Sequence, residues 1–324
     1  MVAKKLRTAV VGTGDFGQRY VSTIASLPEF ELAGVVDRDG SRARTVAKAN
    51  GVPAFANFSE LLEQIHVDAV VIATPPAAHF DDLLIAVERD IPVLVEKPVV
   101  ASRSDLQKLE LLSDKQRGLV LPAHISRYLP SFAALRQRLH GEQVRAVRAV
   151  RYVPAERVAL HGESHPSLSA MVHDFDLIRA LVPSDLVRVT SEQSWIDPSR
   201  PHPQAVFVHL AFTDGTVASV DNLWTMPHTR QYIDARLEVS SDNVYASLSL
   251  PSGEVSFSTA EGNFAPAVEL EGSVFGVPVG ALATQLRYFA MHAAGTATEK
   301  SVTLEDALWS VHLALKVEEQ GRRP

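Results

Sequence analysis

From Leu6 to Leu121, short apolar runs alternate with segments whose apolar residues recur every three or four positions. Leu6 to Val11, Phe30 to Val36, Val67 to Ala73, Val93 to Val95 and Leu119 to Leu121 read as strands. Val67 to Ala73 is almost wholly apolar, as a parallel strand covered on both faces requires. Arg19 to Leu27, Ser41 to Asn50, Ala77 to Arg89 and Ser104 to Lys115 read as the intervening helices. Phe80, Leu83, Leu84 and Val87 form one stripe of the third, and Gly51 stands where a C-cap belongs after the second. Repeated βα units of this length predict an α/β domain over residues 1–123, a doubly wound parallel sheet with right-handed crossovers.

Beyond that point the rhythm changes. A helical stretch from Ser131 to Leu139 is followed by mostly β pattern: Ile233, Ala235, Leu237 and Val239 alternate with Tyr232, Asp234, Arg236 and Glu238, a half-buried strand. Asp214-Gly215 and Ser252-Gly253 lie between apolar runs, where hairpin turns belong. Two helices are predicted to close the chain, Ala281 to Ala294 and Leu304 to Gln320, the second with Thr303 as N-cap and Asp306 three residues on. Residues 124–324 therefore form a second α+β domain with an open, mainly antiparallel sheet. In one strand Val206, Phe207, Val208, Leu210 and Phe212 place apolar groups on both faces. A partner chain, a loop or the other domain would have to cover the second face.

A chain of 324 residues exceeds one ordinary core, which agrees with two domains. With 31 Lys and Arg against 38 Asp and Glu, the net charge of −7 offers no general attraction to phosphate backbones or anionic lipid. Nucleic acid and membrane are thus poor partners. The absence of cysteine excludes a disulfide scaffold, a thiolate zinc site and a cysteine nucleophile. The apolar run from Thr8 to Val11 after Lys4, Lys5 and Arg7 is too short for a signal core or a membrane span, and a soluble cytoplasmic protein is expected.

Gly12-Thr13-Gly14-Asp15-Phe16-Gly17 follows a predicted strand and opens a helix. Gly12 permits a tight turn, Gly14 lets backbone approach a pyrophosphate, and Gly17 permits close helix–strand packing. Phosphates would meet free N–H groups of the helix start, including those of Asp15 and Phe16. Asp37 lies twenty residues past Gly17, at the end of the second strand, where a carboxylate can accept from a ribose 2′-hydroxyl. That carboxylate favours NAD, while Arg38 beside it keeps NADP open.

Glu96-Lys97-Pro98 ends a buried strand at the edge where such sheets bind ligands. Partial dehydration and an oxidised nicotinamide nearby would depress the lysine pKa and suit it to hydrogen-bond a reacting oxygen, and Pro98 would fix the turn that aims it. An ordinary strand-end ion pair is the alternative. His173, in a predicted helix, is either a proton carrier or a satisfied helix histidine. His161 and His165 have i, i+4 spacing, but no further ligand completes a metal site and no metal is expected; a loop at a pocket mouth suits them better. His124, Arg127 and Tyr128 stand at the domain junction, able to reach ligand but better suited to structure. Trp224 fits a substrate wall or the core equally.

The glycine turn, Ala73-Thr74-Pro75-Pro76-Ala77-Ala78-His79, Glu96-Lys97-Pro98, His173-Asp174-Phe175-Asp176-Leu177 and Val302-Thr303-Leu304-Glu305-Asp306-Ala307 together resemble the glucose–fructose oxidoreductase/inositol dehydrogenase/MocA-type oxidoreductases over nearly the whole chain. The resemblance implies a Rossmann domain in the first part of the chain, and NAD(P)-dependent hydride transfer to or from a hydroxyl-bearing carbon of a sugar, cyclitol or related polyol, in homodimers or homotetramers. It implies Lys97 and His173 as catalytic residues, with Glu96, Thr74, Pro75 and His79 on the cofactor side and His124 and Ser169 on the substrate side. Ser169 stands where many members have an aspartate, so Asp174 or Asp176 would have to support the imidazole, or Lys97 and His173 would suffice. A few relatives of this fold resemble cofactor-binding regulators, which makes a non-catalytic dinucleotide sensor the competing class.

Overall fold

A computed structural model describes residues 4–157, 164–227, 233–250, 257–259, 262–264, 269–299 and 301–321. They fall into two compact units, one of Met1–Tyr128 with Glu271–Leu308, the other of Leu129–Leu270 with Trp309–Pro324.

In the first unit six parallel strands run in the order β3-β2-β1-β4-β5-β6: β1 Leu6–Val11, β2 Phe30–Val36, β3 Ala54–Phe55, β4 Ala69–Ile72, β5 Val93–Val95 and β6 Val120–Pro122. β4 and β5 are wholly inaccessible, in keeping with their unbroken apolar sequences. Helices α1 Asp15–Ser26, α2 Gly40–Asn50, α3 Phe58–Gln64, α4 His79–Glu88, α5 Arg103–Glu110 and α6 Asp114–Leu119 join the strands. Helix α1 starts four residues before Arg19, because Asp15, Phe16 and Gln18 of its first turn are exposed and add nothing to the apolar stripe. The single helix expected over Ser104 to Lys115 is two, since Ser113 and Gln116 form a capping box that starts α6. Gly51 ends α2 in the left-handed conformation, as expected. Strand β3 and helix α3 are too short for their periodicity to show in the sequence.

The first unit also takes in residues 271–308, which the sequence pattern places in the second domain, and it extends to Tyr128 rather than 123. Helix α9, Ala281–Ala293 (α7 and α8 follow below), buries Leu282, Leu286 and Phe289 in the same core as Val10, Ile24 and Val35. Apolar burial, not chain order, sets the division.

The second unit contains α7 Pro130–Arg138, α8 Val172–Leu181 and a six-stranded mixed sheet. Its order is β12-β11-β7-β10-β9-β8, with β7 Val144–Pro154, β8 Leu186–Ser194, β9 Ala205–Phe212, β10 Val217–Met226, β11 Asp234–Ser241 and β12 Tyr245–Ser249. Only β7 and β10 pair in parallel. Asp214-Gly215 makes the expected turn between β9 and β10, whereas Ser252-Gly253 and Tyr232 lie outside the described residues. Strand β9 alternates more cleanly than its sequence suggests. Val206, Val208, Leu210 and Phe212 share one buried face, and Phe207 with His209 and Ala211 takes the other. Helix α10, Leu304–Gln320, closes the chain behind a Thr303–Asp306 cap, in which the Asp306 N–H donates to Thr303 Oγ1 at 3.2 Å. Short hairpins β13–β14 (Phe257–Thr259, Gly262–Phe264) and β15–β16 (Gly272–Val274, Val277–Val279) complete the strands. Among the described residues, no helix is long and apolar enough to cross a membrane.

His165 is one of the ties of the second unit. It is 4% exposed, so the pocket-mouth loop expected for it does not form; His161 lies outside the described residues. Its Nε2 donates to Gln193 Oε1 at 3.0 Å and its Nδ1 accepts from the Ser167 N–H at 3.2 Å. Gln193 Nε2 in turn donates to Val317 O, and the Ser167 hydroxyl to Ala314 O, on α10. Burial pushes the imidazole down to about 4 from 6.5. The unfolded chain therefore binds a proton that the folded one refuses as pH falls from 6.5 to about 4. Stability from this residue is complete above pH 6.5 and is lost on acidification through that window, by roughly 3 kcal/mol. Chemical unfolding of wild type and His165→Gln at several pH values should give a flatter acid limb in the variant; parallel limbs would contradict the assignment.

Candidate active site

Four strand ends of the first unit meet at the carboxyl edge of its sheet, on either side of the β1/β4 position where the strand order reverses. β1 delivers Gly12, β2 delivers Asp37, β4 delivers Thr74 and β5 delivers Glu96 and Lys97. Gly12 has φ of 91°, and a Cβ there would stand 2.6 Å from the Ala73 carbonyl carbon. A Cβ on Gly17 would stand 1.9 Å from Gly12 O, so α1 is drawn tightly against the turn. Gly14 instead faces open space and starts α1 without any side-chain cap. Asp15 and Phe16 are exposed, and the Arg19 guanidinium lies 5.2 Å from the Phe16 ring centroid. An uncapped helix start over open space is a cradle for a phosphate, and the turn fits a dinucleotide.

Asp37 is buried and heavily solvated by the protein itself. Its Oδ2 accepts from Thr13 N, Thr13 Oγ1 and Arg42 Nε at 2.8, 2.8 and 3.0 Å. Its Oδ1 accepts from Arg42 Nη2 and Asp39 N at 2.8 and 2.9 Å. Burial works to raise this carboxyl, but the Arg42 guanidinium and the N–H donors outweigh it and hold it well below the usual carboxylate range. Arg38 is exposed; the guanidinium on Asp37 belongs to Arg42. Arg42 reaches this place because Asp39 caps α2, accepting from Ser41 N and Arg42 N. An Asp five residues before an Arg, with a capping residue between, is the one sequence signal that could have pointed to it.

The β4 and β5 loops are clasped together by His79. This fully buried imidazole sits between carbonyls, with Nδ1 2.9 Å from Pro98 O and Nε2 2.7 Å from Thr74 O. Burial lowers its pKa, and its visible work is to hold these two loops. Pro75 is exposed, while Thr74 Oγ1 is buried with no hydrogen-bonding partner, an open polar valence at the cofactor edge. Lys97 is partly exposed beyond the buried Glu96. His124 is only 1% exposed. Arg127 donates to Ser301 O and Asp306 Oδ2 at 3.0 and 3.1 Å, and Tyr128 shares a 2.6 Å hydrogen bond with Ser301, contacts that tie both residues to the returning segment of the first unit.

In the second unit, His173 is partly exposed in the first turn of α8, directly after a π-helical turn over Ser167–Met171. Such turns concentrate at functional sites. Ser169, within it, donates to His165 O at 3.2 Å. Asp174 is fully buried in a two-pronged ion pair with Arg151 of β7, at 2.8 and 2.9 Å. It anchors α8 to the sheet, and with both oxygens spent on Arg151 it does not take the supporting role toward His173 considered for it. Asp176 is equally inaccessible. Trp224 belongs to the core: it packs with Val153 and Ala170 and donates to Asn222 Oδ1 at 2.7 Å.

Arg42, 41% exposed and paired with Asp37, places a cation beside the carboxylate that a ribose 2′ position would meet. Calorimetric titration of Arg42→Ala should show NADP binding weakened about tenfold relative to NAD, the loss of one charge-assisted contact. Equal changes for both nucleotides would contradict this placement.

Comparison with known proteins agrees with the geometry. Residues 6–124 match the family described as "Oxidoreductase family, NAD-binding Rossmann fold". The chain is 30% identical over 256 residues to an inositol 2-dehydrogenase of Saccharopolyspora erythraea, covering 77% of this chain and 76% of that one. It is 31% identical over 188 residues to a UDP-N-acetylglucosamine 3-dehydrogenase of Acidithiobacillus ferrooxidans, covering 57% and 56%. The fold matches the crystal structure of scyllo-inositol dehydrogenase from Lactobacillus casei with bound NAD(H) and scyllo-inositol, at a TM-score of 0.82, 17% identity, and coverage of 98% and 97%. The chain thus belongs to the glucose–fructose oxidoreductase/inositol dehydrogenase/MocA-type family and is an NAD(P)-dependent oxidoreductase.

Proposed function

We propose that this oxidoreductase acts on a secondary hydroxyl of a cyclitol or sugar, with Lys97 and His173 as its catalytic residues. The observation that carries the reading is Lys97 itself, a partly exposed ammonium set by a buried strand at the same sheet edge as the glycine turn, Asp37 and Thr74. The names of the related dehydrogenases, inositol and UDP-N-acetylglucosamine, support the substrate class.

When bound, the nicotinamide supplies the hydride acceptor or donor. The chain's own residues do the rest. Gly12, Gly14 and the first turn of α1, with Asp15 and Phe16, hold the phosphates; Asp37 faces the adenosine ribose; Thr74 and Pro75 border the nicotinamide end, and His79 and Glu96 brace the loops beside it. Lys97 Nζ donates to the substrate oxygen and stabilises the charge that grows as its proton leaves. His173 takes that proton in the oxidative direction as neutral imidazole and returns it in the reductive direction as imidazolium. His124 and Ser169 belong to the substrate side in this reading. A cysteine-free chain gains nothing from an oxidising compartment, which suits the cytoplasm.

Self-association is part of the same reading. The outer face of the second unit's sheet presents Phe207, Val217 and Tyr245, the last two 53% and 69% exposed, beside Arg148 and Glu238. A second copy is the partner that would cover such a face in a homodimer or homotetramer.

NADH fluorescence across a panel of inositols, sugars and nucleotide sugars tests the catalytic assignment. Lys97→Met should lower kcat by at least about a hundredfold with little loss of NAD affinity. Comparable turnover in that variant, or no turnover of any cyclitol or sugar by the wild type, would contradict the proposal.

A further inference from the structure

Behind Lys97 lies a chain of buried polar groups that cofactor binding does not explain. Tyr20, in the middle of α1, is completely buried among Val21 and Ile24, yet its hydroxyl is 2.8 Å from Glu96 Oε1 and 3.1 Å from the side-chain amide of Gln285 on α9. Gln285 is itself fully buried, and its Nε2 has no acceptor as oriented. Glu96 spends its other oxygen on the Lys97 N–H, at 3.0 Å. All four residues belong to the first unit.

Hydrogen-bond arithmetic orders this chain. A phenol has one proton and cannot donate to both neighbours. With the Gln285 amide turned over, Nε2 donates to the Tyr20 oxygen, and the hydroxyl proton is committed to Glu96. Every member then has a role, and the direction runs from Gln285 through Tyr20 to Glu96. Packing alone would be served by phenylalanine, because burying a hydroxyl and an amide costs free energy unless their bonds are made. The tyrosine is thus explained by its proton, not by its ring.

The electrostatics give that proton a function. Burial pushes the Glu96 carboxyl up, while the Lys97 ammonium and the Tyr20 hydroxyl pull it back toward the ionised form. Tyr20 is driven well above the ordinary phenol range by burial, by Glu96 and by Tyr128, so it remains a donor throughout the working pH range. The charged and titratable groups that bear on Glu96 are therefore Tyr20 from α1 and Lys97 next in the chain, with Tyr128 acting on Tyr20.

We propose that Tyr20, oriented by Gln285, is a positioning residue for the reaction: its hydroxyl keeps Glu96 a carboxylate, and that carboxylate keeps Lys97 charged and aimed. The inference rests on Lys97 being catalytic, as proposed above. It also gives the returning segment 271–308 a part in the chemistry, since Gln285 comes from α9.

The test is competitive labelling of the full-length chain with limiting acetic anhydride across pH, with each lysine read by peptide mass spectrometry. Tyr20→Phe should shift the Lys97 labelling midpoint down by about one pH unit, while Lys48 and Lys108 stay fixed, and should lower kcat about tenfold with NAD affinity unchanged. In a Glu96→Gln background the same substitution should add nothing, because Tyr20 acts only through that carboxylate. Gln285→Met, which leaves the phenol in place, should give a smaller shift of the same sign and serves if Tyr20→Phe does not fold. An unmoved midpoint, an unchanged kcat, or an equal shift with and without Glu96 overturns the inference. These failures are separable from failure of the proposed function. Lost turnover in Lys97→Met beside an inert Tyr20→Phe refutes only the positioning role, whereas retained turnover in Lys97→Met refutes the catalytic reading.

Discussion

A parallel strand buried on both faces can carry polar groups only at its ends, and that constraint organises the first unit. β4 and β5 are wholly apolar and β1 is apolar over Ala9 to Val11, so Thr13, Thr74, Glu96 and Lys97 emerge together where these strands stop. The reversal of strand order at β1/β4 opens the sheet at that same edge. Two glycines then set how closely the pieces approach: a side chain at Gly12 or Gly17 would overlap backbone. The cradle is a by-product of tight packing below it, and Gly14 is free to face outward because its neighbours are not.

Three buried carboxylates show how differently the fold treats charge. Asp37 is surrounded by donors and stays ionised. Asp174 is matched in two-pronged fashion by Arg151, an arrangement that fixes geometry more than it adds stability, since both ions lose their water. Glu96 has neither a guanidinium nor several N–H groups, and burial raises it. It is the least compensated of the three and therefore the most responsive to a single donor. A carboxylate poised in this way next to Lys97 is where a small change in hydrogen bonding has the largest chemical consequence.

Most of the first unit was legible in the sequence because its signals are local. The strands are apolar runs, Gly51 is a cap, and Gly12 to Gly17 with Asp37 is a spacing pattern. What escaped depends on partners distant in the chain. Arg42 is one of several cations on α2, and only the fold brings the end of β2 beside it. Tyr20 reads as a core aromatic, and nothing local tells that Glu96, 76 residues away, accepts its proton. The allegiance of residues 271–308 to the first core is invisible for the same reason: an amphipathic helix announces that it will bury a face, not against what. His165 and Asp174 misled in the other direction, since both are chemically able groups whose atoms are already spent on Gln193, Ser167 and Arg151.

In the proposed function, dinucleotide, substrate hydroxyl and Lys97 meet at the carboxyl edge of the first sheet. A crystal structure of the protein with a nicotinamide dinucleotide and an inositol measures this most directly. The expected result is a pyrophosphate over the N–H groups of Asp15 to Gly17 and a substrate oxygen within about 3.2 Å of Lys97 Nζ. A dinucleotide bound elsewhere, or a substrate whose hydroxyls all avoid Lys97, would contradict it.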